Sequence, residues 1–408
     1  MPTPTVAVLA TLDTKQAEAD YLAAQIRAAG ATARVLDIGL GSADQEAEVT
    51  NTAVAARAST TVEELRQSLR HEAMAAMGQG AGEILRQWYD AGRLHGAIAV
   101  GGNQGTAIAS IAMRHLPIGP AKLIVSTVAS GNVREYVLDS DITMQFSVAD
   151  LLGGPNVVTR DILRRSAAGV VAMAQAATAP PEPEERTVVA ITAFGNTEPA
   201  VVTAMAHLAE AGCACVPFHA SGACGSAMER LIGEGTIDAV LDLTTHELLG
   251  EIEPRDIYAP VRPGRLTAAG RRGAPQVVVP GGLEYFCFGG AQTIPPEYRD
   301  RPTHIHNPYN TNVRTSAEEL HQVGELLAAR LNDASGPVAV LIPTRGWSGV
   351  GSPGGVLHSP ETNQAFIDTL HEQLAGHIRF ELHDLAINDV AFAERAARTL
   401  IDLLPAPR

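Results

Sequence analysis

Short apolar runs recur along the chain, and between them lie segments whose apolar residues fall three and four positions apart. In the first half, Val6–Thr11, Thr32–Asp37, Gly96–Val100 and Lys122–Ser126 read as strands, and Gln16–Ala29, Val62–Ala91 and Thr106–Arg114 as helices. The polar stretch Ser42–Thr61 has no clear period and reads as a long loop. The second half repeats the scheme. Its strands are Val188–Ala193, Cys215–His219, Ala239–Asp242, Gln276–Val279, Val338–Ile342 and Arg379–His383, and its last helix is Ala391–Leu404. Strands this short, separated by helices, indicate βαβ units and parallel sheets. The pattern predicts an α/β protein of two Rossmann-like domains, each a mainly parallel sheet flanked by helices.

The sharpest break is the segment AATAPPEPEER, Ala176–Arg186, whose prolines and charges cannot continue the Ala-rich helix before it. It places an N-terminal α/β nucleotide-binding domain at 1–178 and a C-terminal α/β domain at 179–408. A chain of 408 residues suits two cores better than one. With 46% hydrophobic and 18% charged residues it reads as a compact fold, and with 4% aromatics its cores must be built from Ala, Val, Leu and Ile. The net charge of −15 argues against broad binding to nucleic acid or to an anionic membrane, though not against a local basic pocket. No apolar run is long enough to span a bilayer, and the N-terminus lacks a basic leader, so a cytoplasmic protein is expected. Cys213, Cys215, Cys224 and Cys287 lack a second paired motif and are expected to be buried reduced thiols rather than a zinc site.

In parallel sheets, ligands bind beyond the carboxyl ends of the strands. Three loops fall there in the first domain: Thr11-Leu12-Asp13-Thr14-Lys15, Gly101-Gly102-Asn103-Gln104-Gly105-Thr106, and Ser126-Thr127-Val128-Ala129-Ser130-Gly131. Glycine lets backbone amides close on an anion, a following helix adds its positive end, and hydroxyls donate further hydrogen bonds. The candidate ligand-binding residues are Thr11, Asp13, Lys15, Gly101, Gly102, Asn103, Gly105, Thr106, Ser126, Ser130 and Gly131. The spacing matches neither a P-loop nor the dinucleotide fingerprint. Tight packing of a strand against a helix is the competing reason for such glycines.

The ordered series VAVLATLDTK, GGNQGTA, VSTVASGNV, SDITMQFSVAD, FHASGACGSAMERLI, LDLTTHEL, VVVPGG, HNP, GPVAVLIPTRGWS and AINDVAFAE covers Thr5 to Leu404. Together these motifs resemble the ATP-binding-domain family of the tomato mosaic virus resistance protein, the inhibitor of tobamoviral RNA replication. The resemblance implies two α/β subdomains, binding of ATP with or without Mg²⁺ by the N-terminal part, and a homo-oligomer, expected to be a dimer.

The second domain has its own strand-end residues: Phe194–Thr197, His219–Gly222, Thr244–Glu247, Gly281-Gly282, His304–Asn307, Arg345-Gly346 and His383–Asp389. His304 and His306 would share one face of an extended segment. No third ligand has diagnostic spacing, so no metal is assigned. His306 is the candidate general acid/base, Arg345 the candidate anchor for an anionic group, and Asp389 either an N-cap or a carboxylate that orients a histidine. The Gly-rich run Arg345–Gly355 is either a lid or a plain surface loop. His219 with Ser221, Gly222, Gly225 and Ser226 forms a second possible anion nest, and Glu247 reads as an acid favoured at a helix start. Two functions follow. One is a nucleotide-binding enzyme acting on a small anionic metabolite in a cleft between the domains. The other is a non-catalytic nucleotide-binding or regulatory protein.

Overall fold

The computed structural model describes residues 3–41, 47–179 and 184–405. The chain divides into two compact units, Met1–Glu182 and Pro183–Arg408. The first contains β1 (Thr5–Ala10), α1 (Leu12–Ala28), β2 (Thr32–Asp37), α2 (Asn51–Arg57), α3 (Val62–Gln67), α4 (Arg70–Asp90), β3 (Gly96–Gly101), α5 (Asn103–Met113), β4 (Ala121–Ser126), α6 (Arg134–Val137), β5 (Thr143–Phe146) and α7 (Thr159–Ala177). Its sheet has the order β2-β1-β3-β4-β5, and every pair is parallel. β3 and β4 are buried along their whole length, which is why they read as unbroken apolar runs. Met77, Leu85, Ile108 and Met113 of α4 and α5 pack on one face, and Leu22, Ile26, Leu163 and Val170 of α1 and α7 on the other.

The second unit contains β6 (Val188–Ala193), α8 (Glu198–Glu210), β7 (Ala214–His219), α9 (Ala223–Glu234), β8 (Ala239–Asp242), α10 (Ala268–Arg272), β9 (Gln276–Val278), β10 (Tyr285–Phe288), β11 (Thr303–Asn307), β12 (Asn310–Arg314), α11 (Ala317–Asn332), β13 (Val338–Pro343), α12 (Pro360–Gln373), β14 (Arg379–His383) and α13 (Val390–Leu403). Six strands form a parallel sheet in the order β14-β13-β9-β8-β6-β7. A small antiparallel sheet, β10-β12-β11, is added to it in sequence between β9 and β13. Both units are α/β with a parallel sheet flanked by helices.

Several local expectations change. The stretch expected to be a loop holds α2, begun where the Thr50 side chain accepts the Ala53 N–H; residues 42–46 of that stretch lie outside those described. Val62–Ala91 is two helices. A Thr61–Glu64 capping box starts α3, and Ser68 turns extended before α4. β5 and the antiparallel sheet are not among the strands expected, although β5 lies within the strict apolar/polar alternation Ile142–Val148. β10 is apolar at every position, so the two-residue alternation that marks an antiparallel strand is hidden. Helix α5 begins at Asn103, which places Asn103, Gln104 and Gly105 in its first turn. Among the described residues, no helix is long and apolar enough to cross a membrane.

Candidate functional sites

The order β2-β1-β3 reverses direction at β1, so the crevice beyond the carboxyl ends of β1 and β3 is a topological switch point. A cavity of about 290 Å³ lies there. Thr11, Asp13, Thr14 and Lys15 line it from behind β1, Gly102, Asn103, Gln104 and Gly105 from behind β3, and Arg70 from the start of α4. Two cations thus face one carboxylate. Thr11 holds the first turn of α1, its carbonyl accepting the N–H groups of Thr14 and Lys15 at 3.0 and 2.8 Å. Beneath it, buried Asp37 accepts the N–H groups of Leu12 (3.1 Å) and Gly39 (2.9 Å). Burial raises the Asp37 pKa against the pull of those two donors. Asp13 packs where a side chain at Gly41 would sit, so the β2 end also fixes this carboxylate.

The glycines of the second loop have different jobs. A Cβ on Gly101 would lie 3.0 Å from the Gly105 Cα and 3.3 Å from the Thr106 nitrogen, so this glycine lets α5 pack against β3. A Cβ on Gly102 would meet nothing closer than the Thr127 hydroxyl at 3.7 Å. That position opens on the cavity, and no side chain caps the first turn of α5 behind it. The Thr106 and Ser126 hydroxyls bond each other at 2.6 Å, and Ser126 also accepts the Val128 N–H. Both are buried. They brace β4 against α5 and are not among the residues lining the cavity, and neither are Gly101, Ser130 and Gly131. Thr11, Asp13, Lys15, Gly102, Asn103 and Gly105 do line it.

In the second unit, the sheet reverses at β6, between β7 and β8. The anion nest expected after β7 is filled by the protein itself. The Glu247 carboxylate accepts the N–H groups of Gly222 (2.5 Å) and Gly225 (3.2 Å) and pairs with Arg265 at 2.6 Å. A side chain at Gly225 would collide with it. Glu247 does stand in the first turn of a short helix, His246–Glu251, as expected, but its carboxylate serves the start of α9 and Arg265. It is fully buried, and burial raises its pKa against the opposing pull of Arg265. Arg265 also forks onto buried Asp242 at 2.6 and 2.8 Å. Removing one partner of such a network typically costs about 3–5 kcal/mol.

The expected catalytic set does not converge. Arg345 is exposed and gives its fork to exposed Asp384 through two bonds of 2.7 Å. Asp389 stands at the N-cap of α13 but turns its carboxylate back to the Ala386 N–H, at 2.8 Å. Arg345 feels the Asp389 charge. Neither residue lines the pocket that His306 lines. His304 and His306 do share a face of β11, with ring centroids 6.2 Å apart, while His383 is bound to Glu381 at 2.9 Å. The Gly-rich run is not a plain surface loop. Trp347 and Ser348 are buried, and the Trp347 N–H (2.9 Å) and the Ser348 hydroxyl both donate to buried Glu284. Of the four cysteines, Cys213 and Cys287 are buried, Cys215 is intermediate and Cys224 is exposed; all are free thiols.

The pocket of His306 is small, about 60 Å³, and its other walls include Phe194, Asn196, His219, Tyr285, Cys287, Asn310 and Asn312. Cys287 faces Asn312 across the β10–β12 pair, and the Asn312 Nδ2 donates to its sulfur at 3.1 Å. Beneath them lies buried His246. Its Nδ1 meets the Gly282 carbonyl at 2.8 Å and its Nε2 meets Asp256 at 3.2 Å. Asp256 also accepts the Cys287 N–H at 2.8 Å. The sequence pattern points to His219 and His246 as strand-end residues, but Tyr285, Cys287 and Asn312 enter only through the antiparallel sheet. Their one signal is period-two placement, with Tyr285 and Cys287 on one face of β10 and Phe286 and Phe288 on the other, in the core.

Both units match an uncharacterised protein family, residues 4–179 its N-terminal domain and residues 186–404 its C-terminal domain. A UPF0261 protein of Clostridium tetani is 36% identical over 402 residues, covering 98% of each chain. One from Rhizobium meliloti is 36% identical over 97% of this chain and 98% of its own. ToMV resistance protein Tm-1(GCR237) of Solanum lycopersicum is 33% identical over 350 residues, which is 83% of this chain and 46% of the tomato protein. With both domains matched in order over nearly the whole length, the chain belongs to the UPF0261 family.

Proposed function

We propose that the N-terminal unit binds a nucleotide through its phosphates, with ATP as the candidate ligand. The observation that carries this reading is the cavity at the β1/β3 switch point. There the uncapped start of α5, Lys15 and Arg70 face a space that Gly102 leaves open. Helix amides and two cations suit a phosphate chain. The residues also fit a magnesium ion bound jointly with phosphates, since Mg²⁺ commonly takes one or two carboxylates and shares the rest of its shell with substrate and water. Asp13 and the Thr14 hydroxyl are the oxygen donors in reach. Thr106 and Ser126 act by fixing α5, not by touching the ligand.

Calorimetric titration of the full chain with ATP, with and without Mg²⁺, tests the reading. Gly102→Val fills the open position at an ordinary φ of −81°. It should leave the unfolding temperature unchanged and weaken ATP binding by about tenfold or more, equivalent to roughly 1.4 kcal/mol. Lys15→Ala should weaken it too. Wild-type affinity in a folded Gly102→Val protein means the nucleotide lies elsewhere. The enzyme reading is favoured over a pure binder by the histidines and the cysteine gathered at the β6 switch point of the second unit.

A further inference from the structure

We propose that the pocket of the second unit is a separate reactive site, in which Cys287 is a nucleophile toward the carbonyl carbon of a small, uncharged ester or thioester. Three observations support it. Cys287 does not stand alone, because His246, Asp256 and the Asn312 amide converge on it. Asn312 is 2% exposed and lines the pocket, and among the described residues its Oδ1 has no hydrogen-bond partner. A buried unpaired acceptor in a pocket wall calls for a ligand that donates a hydrogen bond. The hydroxyl of Tyr285 accepts from the Asn196 Nδ2 at 3.2 Å, and among the described residues its own proton has no acceptor. It can serve an oxygen on which charge develops.

The lining sets the ligand class. Among the described residues no Lys or Arg lines the pocket, and the charge of His246 beneath it is already paired with Asp256, so no unpaired cation is offered to a phosphate or carboxylate. Its 60 Å³ holds roughly the volume of two water molecules, which admits a short acyl group with the leaving group at the mouth. The two imidazoles are held in opposite states. Burial disfavours charge on His246, but Asp256 and Cys287 outweigh it and hold its pKa well above the ordinary value. At the mouth of the pocket, burial and then the nearby His246 push His219 down. His219 lines the same pocket as Cys287, while His246 touches the thiol from the buried side, and with that placement the divergence suits His219 as base and His246 as charge stabiliser. Burial pushes the Cys287 thiol up, with His246 opposing, so the resting sulfur keeps its proton and needs that base.

In the acylation step, the Sγ–carbon bond forms as the thiol proton passes to His219 and the carbonyl π pair moves onto oxygen, facing Tyr285. The bond to the leaving alcohol or thiol then breaks, and His219 returns the proton to it. Water hydrolyses the resulting thioester: its hydroxyl joins the acyl carbon and its proton restores the thiol. The sum is ester plus water to acid plus alcohol, with no change of oxidation state.

Cys213 supplies an internal control. It is 3% exposed against 1% for Cys287, but it sits in an apolar core. The native full chain is treated with iodoacetamide and alkylation of each cysteine is followed by peptide mass mapping. Cys287 should react about tenfold or more faster than Cys213, because it lines a pocket beside imidazoles that can take its proton, whereas Cys213 is packed among apolar side chains. Equal protection of the two thiols overturns the proposal. With p-nitrophenyl acetate, one acetyl group should appear on the Cys287 peptide, and His219→Ala should slow its appearance by about 10²-fold or more. Acetylation confined to exposed Cys224, or a rate indifferent to His219, overturns the acyl-transfer step. Neither readout depends on nucleotide binding by the first unit.

Discussion

Glu284 shows how a single buried group can govern the behaviour of a loop. Burial raises its pKa to about 7, against the pull of the Ser348 hydroxyl, nearby Arg314 and the Trp347 N–H. A Cβ on Gly351 would overlap its carboxylate, so the run Arg345–Gly355 wraps closely around it. The folded protein therefore keeps a proton that the unfolded chain releases near the ordinary value of 4.5. The stability this proton contributes is full below 4.5 and is lost as pH rises through about 7, above which the curve is flat. At 1.36 kcal/mol per pH unit, the loss is at most roughly 3 kcal/mol. Urea unfolding of wild type and Glu284→Gln across this range should show a slope in the wild type that the variant lacks. Parallel curves mean that Glu284 is ionised in the folded protein. Burying a carboxylate needs partners from two distant segments, and that is why nothing local in the sequence marks this residue.

At the level of elements, the contact between β3 and α5 separates two adjacent glycines. Gly101→Ala pushes a Cβ against the α5 backbone, which cannot move without shifting the helix. Overpacking of this kind typically costs about 1–3 kcal/mol. Gly102→Ala meets only the Thr127 hydroxyl, at an ordinary 3.7 Å, and should be close to neutral for the fold. Thermal unfolding of the two variants tests this directly. A destabilised Gly102→Ala beside a neutral Gly101→Ala would reverse the assignment of packing and ligand roles. The same contact starts α5 at Asn103, three residues before the periodicity of its apolar positions begins. Helix starts set by glycine and backbone packing leave little trace in apolar spacing.

At the scale of the molecule, the described residues form two hydrophobic clusters between Val6 and Ala174 and four between Val189 and Leu400. Each unit thus has the cores a domain of its size requires. Expressed separately, residues 1–182 and 183–408 should each give a single cooperative unfolding transition in denaturant. A unit that shows no transition, or that stays soluble only beside the other, would show that the division is geometric and not energetic. The break in the sequence near residue 178 is visible because a helix cannot pass through Pro180-Pro181 and Pro183.

The alternation of buried strands and amphipathic helices, the break between the halves and the loops at the strand ends were all legible in the sequence. Each depends on residues close together in the chain, where apolar period and glycine or proline content speak directly. What the loops hold was decided by tertiary structure. Glu247 fills the nest after β7, and Asp384 takes the fork of Arg345. Thr106 and Ser126 turn to each other. Only the β10–β12 register sets Asn312 against Cys287, and only the fold of the second unit brings His246 and Asp256 beneath them. A polar side chain takes whichever partner the neighbouring strand end presents, and strand order is a property of the sheet, not of any segment of the chain.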